Sequence, residues 1–141
     1  MDGRCRAFEA RLNLEEADER GGWSSLLICP AVGARKLVVL DVSKPLEPFP
    51  VFEFGDRYLG EVHSTPALGY VDVGGQQTKP VMIVASGIGN AQSRNGVGCP
   101  KAWCRDVPAM MVVDLATGQV MRRLVRAQFR GEGIMTDGSA V

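Results

Sequence analysis

The sequence predicts an all-β fold made of two four-stranded antiparallel units, and three observations lead there. Gly and Pro supply 25 of the 141 residues without a collagen-like period or a low-complexity tract, a load that suits short strands joined by many turns. Short apolar runs rich in β-branched residues recur along the chain, bounded by Gly, Pro, Asp and Ser. One of these runs is repeated: Leu37-Val38-Val39-Leu40-Asp41-Val42 matches Met110-Met111-Val112-Val113-Asp114-Leu115 at an offset of 73 residues.

Taken in order, Ala7 to Leu14 alternates as a strand over about 6–14. An acidic turn ending at Gly21-Gly22 follows, with a short helix over about 8–20 as the alternative. Trp23 to Cys29 and Lys36 to Val42 read as buried-type strands, and Phe49 to Phe54 alternates after two prolines. The second unit repeats the order with strands at about 65–73, 80–86, 108–115 and 119–128, and Gly74-Gly75 supplies a turn. Leu26-Leu27-Ile28-Cys29 aligns with Met82-Ile83-Val84-Ala85 at an offset of 56. The remaining 17 residues of offset make the loop Gly87 to Val107 an insertion.

Tandem four-stranded units are the mark of propeller blades. The expected organisation is therefore an incomplete β-propeller, with blade one over about 6–54, blade two over about 65–128 and the start of a third blade over 131–141. The Asp-ending turns have a structural logic. Asp and Thr side chains accept from nearby backbone amides and Gly takes positive φ, so Asp114-Leu115-Ala116-Thr117-Gly118 reverses the chain tightly. Asp41 to Pro48 is a longer, proline-stiffened version.

The charge balance excludes a general drive toward polyanions: 16 basic residues face 16 acidic ones. The one basic cluster, Arg122, Arg123, Arg126 and Arg130, reads as a solvated strand face rather than a nucleic-acid site. No apolar run reaches 18 residues, so no membrane-spanning helix is expected, and the first residues carry no apolar leader segment. No catalytic, cofactor or metal set emerges. His63 is the sole histidine, with nothing to place Ser64 or Asp56 in a triad. Gly87-Ile88-Gly89-Asn90 precedes no helix pattern, and Asp56, Glu61 and Asp72 are scattered.

Of the four cysteines, Cys99 and Cys104 share one irregular loop, and their spacing permits a disulfide that would pin it if the chain is exported. A second metal-spaced pair is missing, which argues against zinc. Cys29 ends a buried-type strand and is expected as a packed thiol. Cys5 can pair with it, but nothing in the sequence requires this. The inserted loop, with Asn90, Arg94, Asn95, Lys101 and Trp103, is the candidate interaction surface, against the plainer reading of an idle insertion.

The Asp-x-x-Thr-Gly turn resembles blade ends of quinoprotein-like propellers. A longer set resembles the C-terminal propeller of the PilY1 family: Trp23 to Ile28, Gly33, Leu37 to Pro45, Phe52-Glu53-Phe54, Leu59 to Ala67 and Val81 to Gly89, together covering about 22–128. The resemblance implies a non-enzymatic, exported protein of type IV pilus assembly, adhesion or surface motility. It would lie at the pilus tip or in the periplasm of a Gram-negative bacterium. Implied partners are the other blades of a parent propeller and minor pilins or a surface ligand, with no nucleic acid and no membrane span.

The family's D-x-D-x-D-G calcium loop has no counterpart here, so calcium would belong to the missing C-terminal part of a longer parent. Alternatives are a fragment of a quinoprotein (PQQ-type) dehydrogenase or an outer-membrane assembly scaffold. Quinoprotein enzymes dock blades with Trp where this chain has Phe52 and Arg122, which argues against the dehydrogenase.

Overall fold

A computed structural model describes residues 4–12, 22–31, 35–60, 65–86, 109–126 and 134–137. The elements are β1 (Arg6–Arg11), β2 (Trp23–Ala31), β3 (Lys36–Asp41), β4 (Phe49–Phe54), β5 (Ala67–Gly74), β6 (Gln77–Ala85), β7 (Ala109–Asp114), β8 (Val120–Arg126) and β9 (Ile134–Asp137). They form two antiparallel sheets, one in the order β1-β2-β3-β4 and the other β5-β6-β7-β8-β9. All eight expected strands are present, and Arg6–Arg11 is strand, while 13–20 of the helical alternative lie outside the described residues.

The tail is the first correction. The sequence pattern places the start of a third blade at 131–141, but the described part of that stretch, β9, pairs with β8 as a fifth strand of the second sheet. The pairing runs from Arg123 opposite Asp137 to Arg126 opposite Ile134.

Register gives the second correction. Leu26 lies opposite Asp41 in the first sheet, and Val81 lies opposite Asp114 in the second. Leu26 is therefore the counterpart of Val81, not Met82, so the β2/β6 offset is 55 and the insertion is 18 residues long. The slip has a plain cause. Val81-Met82-Ile83-Val84 is apolar at every position, so its pattern carries no phase, and only strand pairing supplies one.

Two further features repeat at the 73-residue spacing. Each β3-type strand carries a register shift at the same place, between Val39 and Leu40 and between Val112 and Val113. Each Asp caps its own turn. The Asp41 carboxylate accepts from the Ser43 amide at 2.7 Å, and that of Asp114 accepts from Ala116 at 2.8 Å.

The next backbone bond is shared as well: Val42 donates to the Ser25 carbonyl at 2.8 Å, and Leu115 to the Pro80 carbonyl at 3.0 Å. One difference between the units explains itself. Ser25 has an amide to satisfy, and the Ser43 hydroxyl accepts from it at 3.0 Å. Its counterpart Pro80 has no N–H, and the residue in Ser43's place is Ala116.

The sheets pack on each other through a single apolar cluster. The first contributes Ala10, Leu26, Ile28, Leu37, Val39 and Phe54. The second contributes Met82, Val84, Met111, Val113 and Leu115, and Leu59 comes from the connection between them. Alternation places Asp41 on the face of the first sheet turned to the second, since it lies opposite buried Leu26. Asp114 lies opposite Val81, on the face of the second sheet turned away from the first. Equivalent positions thus point the same way around the stack, as they do in successive blades and as they would not in a two-fold sandwich.

Cysteine pairing is the third correction. Cys29 is not a packed thiol: it forms a disulfide with Cys5, with sulfurs 2.07 Å and Cα atoms 4.2 Å apart. The bond extends the β1/β2 register, in which Arg6 already lies opposite Ile28. Among the described residues no cysteine is free, while Cys99 and Cys104 lie outside them.

The bond closes a loop of 24 residues' separation, so chain entropy predicts a contribution of about 3 kcal/mol. Replacing both Cys5 and Cys29 with Ala should lower unfolding stability by about 2–4 kcal/mol in urea melts. Peptide mapping without reduction should recover the two cysteines as one linked species.

Candidate functional site

No group of three or more His, Cys, Asp or Glu side chains placed to hold a metal ion exists among the described residues. What the sequence does build is a seam between two sheets, and the faces that flank it. The seam starts with the chain leaving β4. Asp56 turns the connection by accepting from the Tyr58 amide at 3.0 Å, while its carbonyl accepts from Leu59 at 3.0 Å. This turn drives Leu59 into the shared core with no exposed surface, and the Arg57 guanidinium lies over the Tyr58 ring at 4.8 Å.

The same Asp56 carboxylate crosses the seam. Its Oδ2 accepts from Arg123 Nε at 3.0 Å and from an Arg123 terminal nitrogen at 2.7 Å. The Asp56 side chain is 6% exposed and that of Arg123 20%, so this is a largely desolvated charge pair rather than a solvated one. This corrects the expectation of a solvated strand face for Arg123. The residue lies opposite Met111, which belongs to the core cluster, so its stem runs along apolar surface toward the connection. Arg122, one residue earlier, faces the other way and is exposed.

A second seam contact is aromatic. A Cβ on Gly118 would come within 2.8 Å of the Phe52 ring, and Gly118 has φ +74°. The Phe52 ring of one sheet therefore rests on the glycine that ends the other sheet's Asp turn. Phe52 and Arg122 stand where the quinoprotein pattern has docking Trp residues. Phe52 nevertheless docks at this seam, while its counterpart Arg122 is exposed.

At the first strands of the two sheets, Tyr70 packs on Phe8 with ring centres 5.7 Å apart and its hydroxyl donates to the Glu9 carbonyl at 3.1 Å. Arg6 donates to the Pro66 carbonyl at 3.4 Å.

Two faces flank the seam. The far face of the first sheet carries Leu27, Cys29, Val38 and Leu40, with Lys36 paired to Glu53 at 2.9 Å. Trp23, on the same face, is 44% exposed. The far face of the second sheet carries Val81, Ile83, Met110, Val112 and Leu124. Met110 is 44% exposed and Val81 is buried, and none of these nine apolar or Cys positions belongs to the cluster shared between the sheets. Asp114 on this face is held by Lys79 at 3.4 Å.

The residues singled out for the interaction loop, Asn90, Arg94, Asn95, Lys101 and Trp103, lie outside the described residues, as do His63, Ser64 and Glu61. The base of that loop is described. Ser86 donates its amide to the Ala109 carbonyl at 2.7 Å, and its hydroxyl accepts from the Ala109 amide at 2.9 Å. The insertion thus leaves and rejoins the sheet at one clamped point. Asp72 acts locally. Its carboxylate accepts from the Gly74 amide at 2.7 Å beside the register shift before the Gly75-Gln76 turn.

No family model matches the chain, and no curated protein does. Among solved structures, the chain is similar to the crystal structure of the Pseudomonas aeruginosa PilY1 C-terminal domain. The TM-score is 0.59 and the identity 23%, over 92% of this chain and 23% of that one. The likeness establishes the fold as that of a β-propeller, of which this chain spans less than a quarter of the matched length.

Gly118→Ala should lower stability by about 1–3 kcal/mol, through positive φ and the Phe52 contact, whereas Gly69→Ala, with open space at its Cβ, should stay within about 0.5 kcal/mol. In a double-mutant cycle, Asp56→Asn with Arg123→Met should give a coupling energy of about 1–3 kcal/mol in chemical denaturation. A coupling near zero would mean that the pair does not hold the seam.

Proposed function

We propose that this chain is a structural segment of an exported, non-enzymatic propeller that serves the type IV pilus, in assembly, adhesion or surface motility. The fold likeness to the PilY1 C-terminal domain carries this reading. The strand-by-strand motif set over residues 22–128 supports it independently. The Cys5–Cys29 disulfide agrees with folding in an oxidising compartment such as the periplasm or cell surface.

In this reading the two sheets are scaffold. Their packed seam holds geometry, the far faces meet other blades of the parent, and minor pilins or a surface ligand are the outer partners. The segment itself takes no cofactor, and any calcium loop belongs to a longer parent.

In the bacterium that encodes the chain, in-frame deletion of this segment should reduce the number of surface pili and abolish surface adhesion. The intact protein should appear in the sheared surface fraction with Cys5 and Cys29 oxidised. Unchanged piliation, with a reduced protein confined to the cytosol, would overturn the proposal. A quinone-dependent alcohol oxidation lost on deletion would favour the dehydrogenase alternative.

A further inference from the structure

The turn that follows the third strand differs between the two sheets. In the second sheet it lies at the seam. Leu115 is fully buried in the cluster shared between the sheets, and Gly118 seats the Phe52 ring of β4. The first sheet opens its turn in the same way. Asp41 caps it as Asp114 does, and Val42 donates to the Ser25 carbonyl where Leu115 donates to that of Pro80. The outgoing strands match as well, with Leu40 opposite Pro50 and Val113 opposite Val120. Pro48 therefore stands in the place of Gly118, and Pro45, Leu46 and Glu47 are additions.

The additions change what the turn offers. Glu47 donates its amide to the Lys44 carbonyl at 2.9 Å, which closes a tight turn with Pro45 and Leu46 at its tip. Leu46 is 97% exposed, and Val42 is half-buried where Leu115 is fully buried. Pro45 and Pro48 each fix a backbone angle, so the tip is stiff before anything covers it. The seat for a ring is lost at the same time. Gly118 receives Phe52 because it lacks a Cβ, which would stand 2.8 Å from the ring. Pro48 carries a Cβ, holds φ near about −65° instead of +74°, and lacks the N–H through which Gly118 bonds the Asp114 carbonyl at 2.8 Å.

On the reading of this chain as blades of a longer propeller, on which this rests, we infer that the Lys44–Pro48 turn clasps the blade stacked on the far face of the first sheet. The contact is the reverse of the one at the seam. There the outer strand brings the ring and the turn leaves the gap. Here the turn brings the side chain, Leu46, and the outer strand of the neighbouring blade leaves the gap. That strand carries Gly, Ala or Ser at the station that Phe52 holds in β4. The occupant follows from continuity with the seam. The face beside this turn carries Leu27, Val38 and Leu40, the counterparts of Met82, Met111 and Val113, which receive the first sheet at the seam. Lys44 and Glu47 flank the tip with balanced charge, which suits an apolar recess and not an anionic headgroup surface.

The test uses the 141-residue chain and the purified parent protein. In the chain alone, Leu46→Asp should leave circular dichroism and urea unfolding unchanged, since Leu46 is exposed there. In the parent, the same substitution should raise the rate of thermolysin cleavage about tenfold or more, the loss expected when a leucine is no longer buried. A benzophenone side chain in place of Leu46 in the parent should crosslink within the same polypeptide, to the outer strand of the blade on that face. The parent's own sequence, set in register, should show the small residue at the Phe52 station of that strand.

An unchanged cleavage rate would overturn the clasp, as would the absence of a crosslink. A crosslink to a separate polypeptide or to lipid would overturn it too, and would make the tip a contact for outer partners. An aromatic residue at the station, on a blade that is present, would sink the clasp alone, whereas a parent with no further blade would sink the blade reading with it. Should the chain not fold by itself, cleavage and crosslinking in the parent decide. The pilus assignment is untouched by any of these results, since piliation and adhesion after deletion test it separately.

Discussion

Asp41 and Asp114 occupy the same place in their sheets, make the same turn and sit beside the same register shift. Yet Asp41 shares the face buried between the sheets and Asp114 lies on the face turned away. The rest of the structure depends on this stacking. Strand alternation has a period of two, so a repeat stacked on itself buries one phase from the first sheet and the opposite phase from the second. Both faces of every sheet must then be apolar. This accounts for apolar runs in β3, β6 and β7 without the polar-out alternation expected of a sheet with one wet side.

The seam shows how a stack of this kind is held in place rather than merely attracted. Apolar faces alone can slide, and the contacts at the rim remove that freedom. The Asp56–Arg123 pair reaches across from the connection to β8, Phe52 seats on a glycine that no other residue can replace without strain, and Tyr70 ties the first strands together. The connection between the sheets is itself part of the core through Leu59, so the two units fold as neighbours and not as beads on a linker.

Much of this was legible in the amino-acid sequence. The eight strands were, because β-branched runs ending in Asp, Gly and Pro leave few other readings. The 73-residue spacing was, because an Asp that caps a turn is needed once per unit. The phase of β6 was not, since four consecutive apolar residues look alike in either register. Asp56 and Arg123 lie far apart in the chain, and no local pattern joins them. Cys5 and Cys29 were open as a pair in the sequence, and only the register of β1 on β2 brings them together. The pairing of β9 with β8 was likewise hidden, because four residues after a long connection carry no signal of which edge they join. Phe52 stands in the sequence where the quinoprotein pattern has Trp, and its contact with Gly118 was not legible, because the two lie in different sheets.

The Cys5–Cys29 bond also has a mechanical meaning. β1 is an edge strand, hydrogen-bonded on one side, and tension arriving from upstream of residue 5 would peel it from β2 one bond at a time. The disulfide sits at the point where that peeling would begin. It carries the load past β1 and straight into β2, which is flanked on both sides, by β1 and β3. The stretch between the two cysteines, which holds β1 and its whole ladder with β2, is thereby removed from the line of force, and the load first meets the ladder between β2 and β3.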